Sequence, residues 1–182
     1  MVLDRESIKG ESVTENLGVA IEATLHSADG AGVVRMNARY ENDSADLWLA
    51  LTEPHRLALW YGRVEGNLRV GGEFAAFVWT SEWDGRGRVD ACVPLRRLEV
   101  TMWEEQGKEH AVAAELIADG ISTTLVLEVR GVPLDFVWAY GAGWQVHLED
   151  LGAHLSGQES RNLPTRWDEL EPHYRGMAVE PS

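Results

Sequence analysis

Cysteine is almost absent from this 182-residue chain: Cys92 stands alone, which excludes an intrachain disulfide framework and a thiolate metal cluster. Positive charge is scarce as well, with 16 basic residues, only two of them lysine, against 30 acidic ones. The resulting formal charge of −14 repels phosphate backbones and anionic lipid heads, so no nucleic-acid partner is expected. Long hydrophobic runs are missing too. No stretch is apolar enough to span a bilayer, and the opening MVLDRESIKGESVTEN has no hydrophobic signal region, so a cytoplasmic protein without membrane insertion is expected.

The sequence also lacks the common catalytic signatures. Gly141 and Gly143 do not complete a dinucleotide fingerprint, because Val146 occupies the place of its third glycine. No GxSxG elbow, phosphate-binding loop or HExxH is present. His147 and His154 are two helical turns apart, about 10 Å along an axis, which is too far for one metal ion. Neither a cofactor nor a metal is expected. The carboxylate pairs Glu104 with Glu105 and Glu149 with Asp150 read as solvated charge, since such side chains are rarely buried.

What the chain does carry is a strong alternation of elements. Residues 1–17 are polar and aperiodic and read as a flexible arm. From Val19 onward apolar residues alternate along two strands joined at Asp29 and Gly30. The segment DLWLALTEPHRLALWYG, Asp46 to Gly62, then encodes two short helices, with Ser44 and Thr52 as expected caps and Pro54 in the first turn of the second. Strand candidates follow over 63–70, 73–80, 86–93, 98–103, 110–117 and 122–130, each bounded by turn residues, which predicts an antiparallel meander. Tyr140, Trp144, Leu148, Leu151 and Leu155 recur at helical spacing up to Gly157. Residues 158–182 form a tail in which Trp167, Leu170 and Tyr174 suggest a short helix cut by Pro172.

The order of strand, two short helices, meander and long C-terminal helix, together with ADLWLALTEPHRLALWYG, the GGEF of Gly71 to Phe74 and GAGWQVHLEDLGAHLSG, resembles the bacterial START-like (SRPBCC) superfamily. Within it the chain is similar to the branch named after homologues of the heat-shock protein 90 ATPase activator. The resemblance covers residues 33–157 and implies an α+β helix-grip domain, assigned here to residues 18–157, with a curved antiparallel sheet wrapped around the last helix. It also implies an apolar cavity that admits a lipid, polyketide or other natural product. Carriage of a small hydrophobic molecule without chemistry is the expected function. The resemblance also leaves open a cyclase- or aromatase-like enzyme, a chaperone-ATPase-stimulating role, and self-resistance by antibiotic sequestration.

The ligand-binding residues expected on that basis are Trp60, Tyr61, Phe74, Val78, Met102, Leu116, Tyr140, Trp144, His147 and Leu148, with Trp60 and Tyr61 gating the mouth. His147 and the Tyr140 hydroxyl are the polar handles. His147 is suited to orient a carbonyl or shuttle a proton, but a hydrogen bond to a backbone group at the cavity edge is its expected role. If Phe74 faces inward, strict alternation places Val78, Val100 and Met102 inside and Phe77, Trp79 and Trp103 outside. Aromatic groups on the outer face need cover, from the arm, the tail or a second subunit, so a homodimer is an open expectation.

Overall fold

The computed structural model describes residues 19–104, 107–159 and 163–182; the expected N-terminal arm and Glu105 lie outside them. Two strands, β1 (Ala20–Ala28) and β2 (Ala31–Tyr40), lead into α1 (Ser44–Thr52) and α2 (Pro54–Leu57). A meander follows: β3 (Gly62–Gly66), β4 (Glu73–Val78), β5 (Trp83–Val93), β6 (Arg97–Trp103), β7 (His110–Asp119) and β8 (Ser122–Val132). A 3-10 turn at Leu134–Phe136 opens α3 (Val137–Leu155), and α4 (Leu163–Gly176) and β9 (Val179–Pro181) complete the chain. The sheet has nine strands in the order β3-β4-β5-β6-β7-β8-β2-β1-β9, antiparallel except where β9 joins β1. This is the expected helix-grip arrangement of a long helix held by a curved sheet.

Alternation explains the sheet. In β2 the residues Val34, Met36, Ala38 and Tyr40 are buried while Arg35, Asn37 and Arg39 are exposed, and β8 buries Leu125, Leu127 and Val129 on the same face. Register pairs Met36 with Leu127 and Ala38 with Leu125, so one continuous apolar surface faces α3. The helix answers with Val137, Leu148 and Leu151, all buried at helical spacing. Tyr40 donates to the carbonyl of Leu148 at 3.0 Å, which satisfies a buried hydroxyl and ties the sheet to the helix.

Several local expectations are corrected. The cap of α1 is Asp43, whose carboxylate accepts from the N–H of Asp46 at 2.8 Å, because Ser44 has already entered the helix. Thr52 caps nothing: its hydroxyl donates to the carbonyl of Trp48 at 2.7 Å, and Glu53 occupies the N-cap of α2 without a side-chain bond. Strand β3 stops at Gly66 rather than at Val70, since a φ of 144° there turns the chain into the 67–72 loop. The tail helix is not short: α4 runs for 14 residues with Pro172 inside it. Buried Leu170 and Tyr174 anchor it despite the N–H that proline lacks. It packs on α3, where Gly141 makes the approach close: a Cβ there would lie 2.6 Å from the Tyr174 ring.

The Glu149 and Asp150 pair is not solvated. Asp150 is buried, and Glu149 accepts from Arg166 Nε at 2.7 Å and Nη2 at 2.6 Å, with both side chains less than one-fifth exposed. Gln145 also donates to Glu149, at 2.9 Å, and accepts from the Tyr174 hydroxyl at 2.6 Å, so one polar network joins α3 to α4.

Candidate functional site

Between α3, the turn after β4 and α4 lies a cavity of about 730 Å³. Its inner wall is Tyr61, Met102, Trp144 and His147, and its outer wall is Trp83, His110, Tyr140 and Trp167. Behind it, under α1 and α2, is a second space of about 180 Å³ whose wall includes Trp48, Trp60, Phe74, Cys92 and Val112. Tyr61, Met102 and Trp144 line both, so these three side chains form the partition between an outer cavity and an inner apolar chamber.

The partition is aromatic. The rings of Tyr61 and Trp144 stack with centroids 6.1 Å apart, and Tyr61 lies 5.5 Å from Trp60 and 5.1 Å from His147. Trp60 is fixed by donation from its indole N–H to the carbonyl of Ala50 at 3.0 Å. Among the described residues the Tyr61 hydroxyl meets only the sulfur of Met102, at 3.8 Å, a weak acceptor. Of the two expected gate residues, Tyr61 is therefore the one held loosely at its polar end.

Each helix and strand positions its part for a local reason. Phe74 reaches the inner chamber because Gly87 stands opposite it on β5, where any Cβ would collide with the phenyl ring. Val78 is the last residue of β4 and lines the outer cavity. Trp79, the next residue, keeps the outward side with Phe77, their rings 5.5 Å apart, and reaches the cavity rim while its indole N–H donates to the carbonyl of Ala58 at 3.1 Å. Leu116 and Leu148 are buried in the core and line neither space. The structure thus brings together eight of the ten expected residues around the two spaces: Trp60, Tyr61, Phe74, Val78, Met102, Tyr140, Trp144 and His147.

His147 differs from its expected role. Its Nε2 is 3.0 Å from the hydroxyl of Thr80, a side chain delivered by the turn after β4, rather than from a backbone group. Its Nδ1 is buried and has no hydrogen-bond partner among the described residues. Such a vacancy is uncommon, since buried polar atoms are normally satisfied. Burial pushes the imidazole pKa down to about 4, so the ring is neutral at neutral pH. The same cause raises the Tyr61 phenol, which stays protonated.

That shift has a sign. In the unfolded chain the imidazole titrates near 6.5 and in the fold near 4, so the stability held by the neutral ring is complete above about pH 6.5 and is lost as pH falls toward 4. The full effect is about 3 kcal/mol. We expect urea unfolding to show that loss between pH 7 and pH 4, and His147→Gln to flatten the profile. A slope unchanged in His147→Gln would assign the acid sensitivity elsewhere. His110 and His154, both also lowered by burial, would then be the candidates.

Sequence reasoning missed Thr80, Trp83, His110 and the contribution of α4. Trp167 was visible as an apolar position, but nothing in the sequence placed it against α3. No group of histidine, cysteine and carboxylate side chains among the described residues could hold a metal ion.

Comparisons with known proteins agree with this architecture. Residues 43–156 match the family model described as Activator of Hsp90 ATPase homolog 1-like protein. No curated protein matches the chain. Among solved structures, CalU16 from Micromonospora echinospora is 24% identical, with a TM-score of 0.71 over 87% of this chain and 97% of its own. DynU16, a protein from the dynemicin biosynthetic locus, is 25% identical with a TM-score of 0.66, over 75% of this chain and 51% of its own. A Bordetella parapertussis protein, the product of gene BPP1335, is 21% identical with a TM-score of 0.67, over 85% of this chain and 91% of its own. With the match spanning α1 through α3, the chain belongs to the Activator of Hsp90 ATPase homolog 1-like family.

Proposed function

We propose that this protein binds a small hydrophobic natural product in the space under α3, and that it does so in the cytoplasm without obligatory chemistry. The observation that carries this reading is the pair of adjoining spaces, about 730 Å³ and about 180 Å³, that share a single aromatic partition. A cavity of that size lined mainly by apolar and aromatic side chains, with a few polar groups to set orientation, is the usual form of a small-molecule site. The likeness to a protein of the dynemicin biosynthetic locus supports a natural product over a membrane lipid. No helix among the described residues is long and apolar enough to cross a membrane, which is consistent with a carrier that works in solution.

Trp144 makes the reading testable without a label, because it borders both spaces. A panel of lipids, flavonoids and polyketides is expected to contain ligands that quench tryptophan emission and raise the melting temperature, since binding to the folded state alone stabilises it. Trp144→Ala is expected to weaken the best of them by about tenfold or more, the scale of an aromatic anchor lost from a buried site. A panel that leaves both emission and melting temperature unchanged would remove the support for this function.

One observation favours a second reading. The unpartnered Nδ1 of His147 beside Tyr61 and Thr80 is a potential proton acceptor, which is what a cyclase-like proton transfer needs. Turnover of a polyketide substrate that His147→Ala abolishes without weakening binding would establish that reading over simple carriage.

A further inference from the structure

Among the described residues, the charged side chains that line the outer cavity are all of one sign. Among the described residues its lining contains no lysine or arginine, but it contains the carboxylates of Glu82, in the turn before β5, and Asp168, on α4. Both are exposed at the rim, and neither has an ion-pair partner among the described residues. The cation nearest Asp168 in sequence, Arg166, is committed: it binds Glu149, and its Nη1 donates to Glu169 at 2.8 Å. The two imidazoles of the lining add no positive charge, because burial lowers both His110 and His147. Glu104, close enough to act on both His110 and Tyr140, adds a third negative charge nearby.

Between these carboxylates the walls are aromatic: Trp79, Trp83, Tyr140, Trp144 and Trp167. The faces of such rings attract cations, and indole does so most strongly. At the inner end, His147 is only 6% exposed and its Nδ1 lacks a partner. In the tautomer in which Nε2–H donates to the Thr80 hydroxyl, Nδ1 keeps a lone pair that a donor on the ligand can fill. A carboxylate-bearing ligand such as a fatty acid would find no counter-charge here, whereas an ammonium group would find two carboxylates and several ring faces.

We propose that the occupant of this cavity is a polycyclic or aromatic molecule bearing a cationic amine, with the amine held at the rim by Glu82 and Asp168 and the apolar body directed toward Trp144 and Tyr61. This rests on the ligand-binding reading above and adds the charge class of the ligand to it.

The test uses three probes with one body and different head groups: pyrenebutylamine, pyrenebutanol and pyrenebutyrate. Each is titrated by tryptophan quenching near 0.15 M salt, where the Debye length is about 8 Å and the overall −14 charge attracts only weakly at a distance. The amine is expected to bind about tenfold tighter than the alcohol, and the carboxylate more weakly than the alcohol. In the double variant Glu82→Gln/Asp168→Asn the amine should fall to the level of the alcohol, while the alcohol is unchanged. Amine and alcohol binding alike would overturn the charge assignment and leave the cavity reading intact. An amine preference that survives the double variant would overturn the rim site, and no binding by any probe would overturn both readings.

Discussion

Arg166→Met is expected to lower the unfolding free energy by about 3 kcal/mol, because it strands a carboxylate that the fold has taken out of water. Arg166 and Glu149 are only 16% and 19% exposed at their side chains, and two parallel bonds of 2.7 and 2.6 Å join them. With Arg166 removed, Glu149 keeps Gln145 as a donor, and the network that continues to Tyr174 loses its charged end. The double variant Arg166→Met/Glu149→Met should recover most of the loss, since replacing both partners leaves no buried charge behind. Urea unfolding of the single and double variants measures the cycle. A single-variant loss below about 1 kcal/mol, the range of exposed pairs, would mean that water reaches the pair and that it does not hold α4. The same variant bears on the site, because Trp167 and Asp168 follow Arg166 directly and line the outer cavity.

The second large effect is expected at Gly62. A Cβ at this position would collide with the carbonyl oxygen of Phe77 and lie 2.9 Å from Cα of Val78. Both obstacles are backbone of the neighbouring strand, paired with Gly62 in the ladder, so no rotamer change relieves them. Gly62→Ala must then separate β3 from β4, at a cost of about 3 kcal/mol or more, and disturb Tyr61, whose carbonyl accepts from the N–H of Trp79 at 3.1 Å. Gly176→Ala serves as the control, because nothing lies within 4 Å of a Cβ there. Equal denaturation midpoints for the two variants would refute the close approach. The segment that ends WYG in the sequence thus ends on glycine for a steric reason, and the aromatic partition depends on it.

Most of the sheet and the long helix were legible because their apolar residues keep period. Strand β2 alternates from Val34 to Tyr40, and α3 repeats its anchors every three or four residues, so burial on one face followed directly. The errors arose where two residues compete or where a distant group decides. Asp43 and Ser44 can both cap α1, and only the backbone angles choose between them. Pro172 argued for a short tail helix, but Leu170 and Tyr174 bury against α3 and carry the helix through it. Glu149 looked solvated because its partner is 17 residues away on another element.

The site was legible in its aromatic residues and obscure in its polar ones. Trp144 lies on a face that the periodicity of α3 defines, whereas Tyr61 stands beyond the end of α2, in the turn before β3. His147 could be placed on the inner face of α3, but its partner Thr80 is 67 residues away, in the turn that follows β4. No periodicity carries that information. For the same reason Glu82 and Asp168, two exposed acidic residues in separate segments, gave no sign of facing one cavity.

The strand order of the sheet has one more consequence, for association between copies. At one end the sheet closes with β9, only three residues long and ending in Pro181, which has no N–H to offer a further strand. At the other end lies β3, five residues long, with exposed Arg63 and Glu65. Short, charged or proline-bearing margins are the means by which sheet proteins avoid unwanted strand addition and amyloid-like growth. The end strands β3 and β9 therefore offer little template for another chain, and the margin that β9 leaves uncovered among the described residues is the first half of β1, residues 20–24.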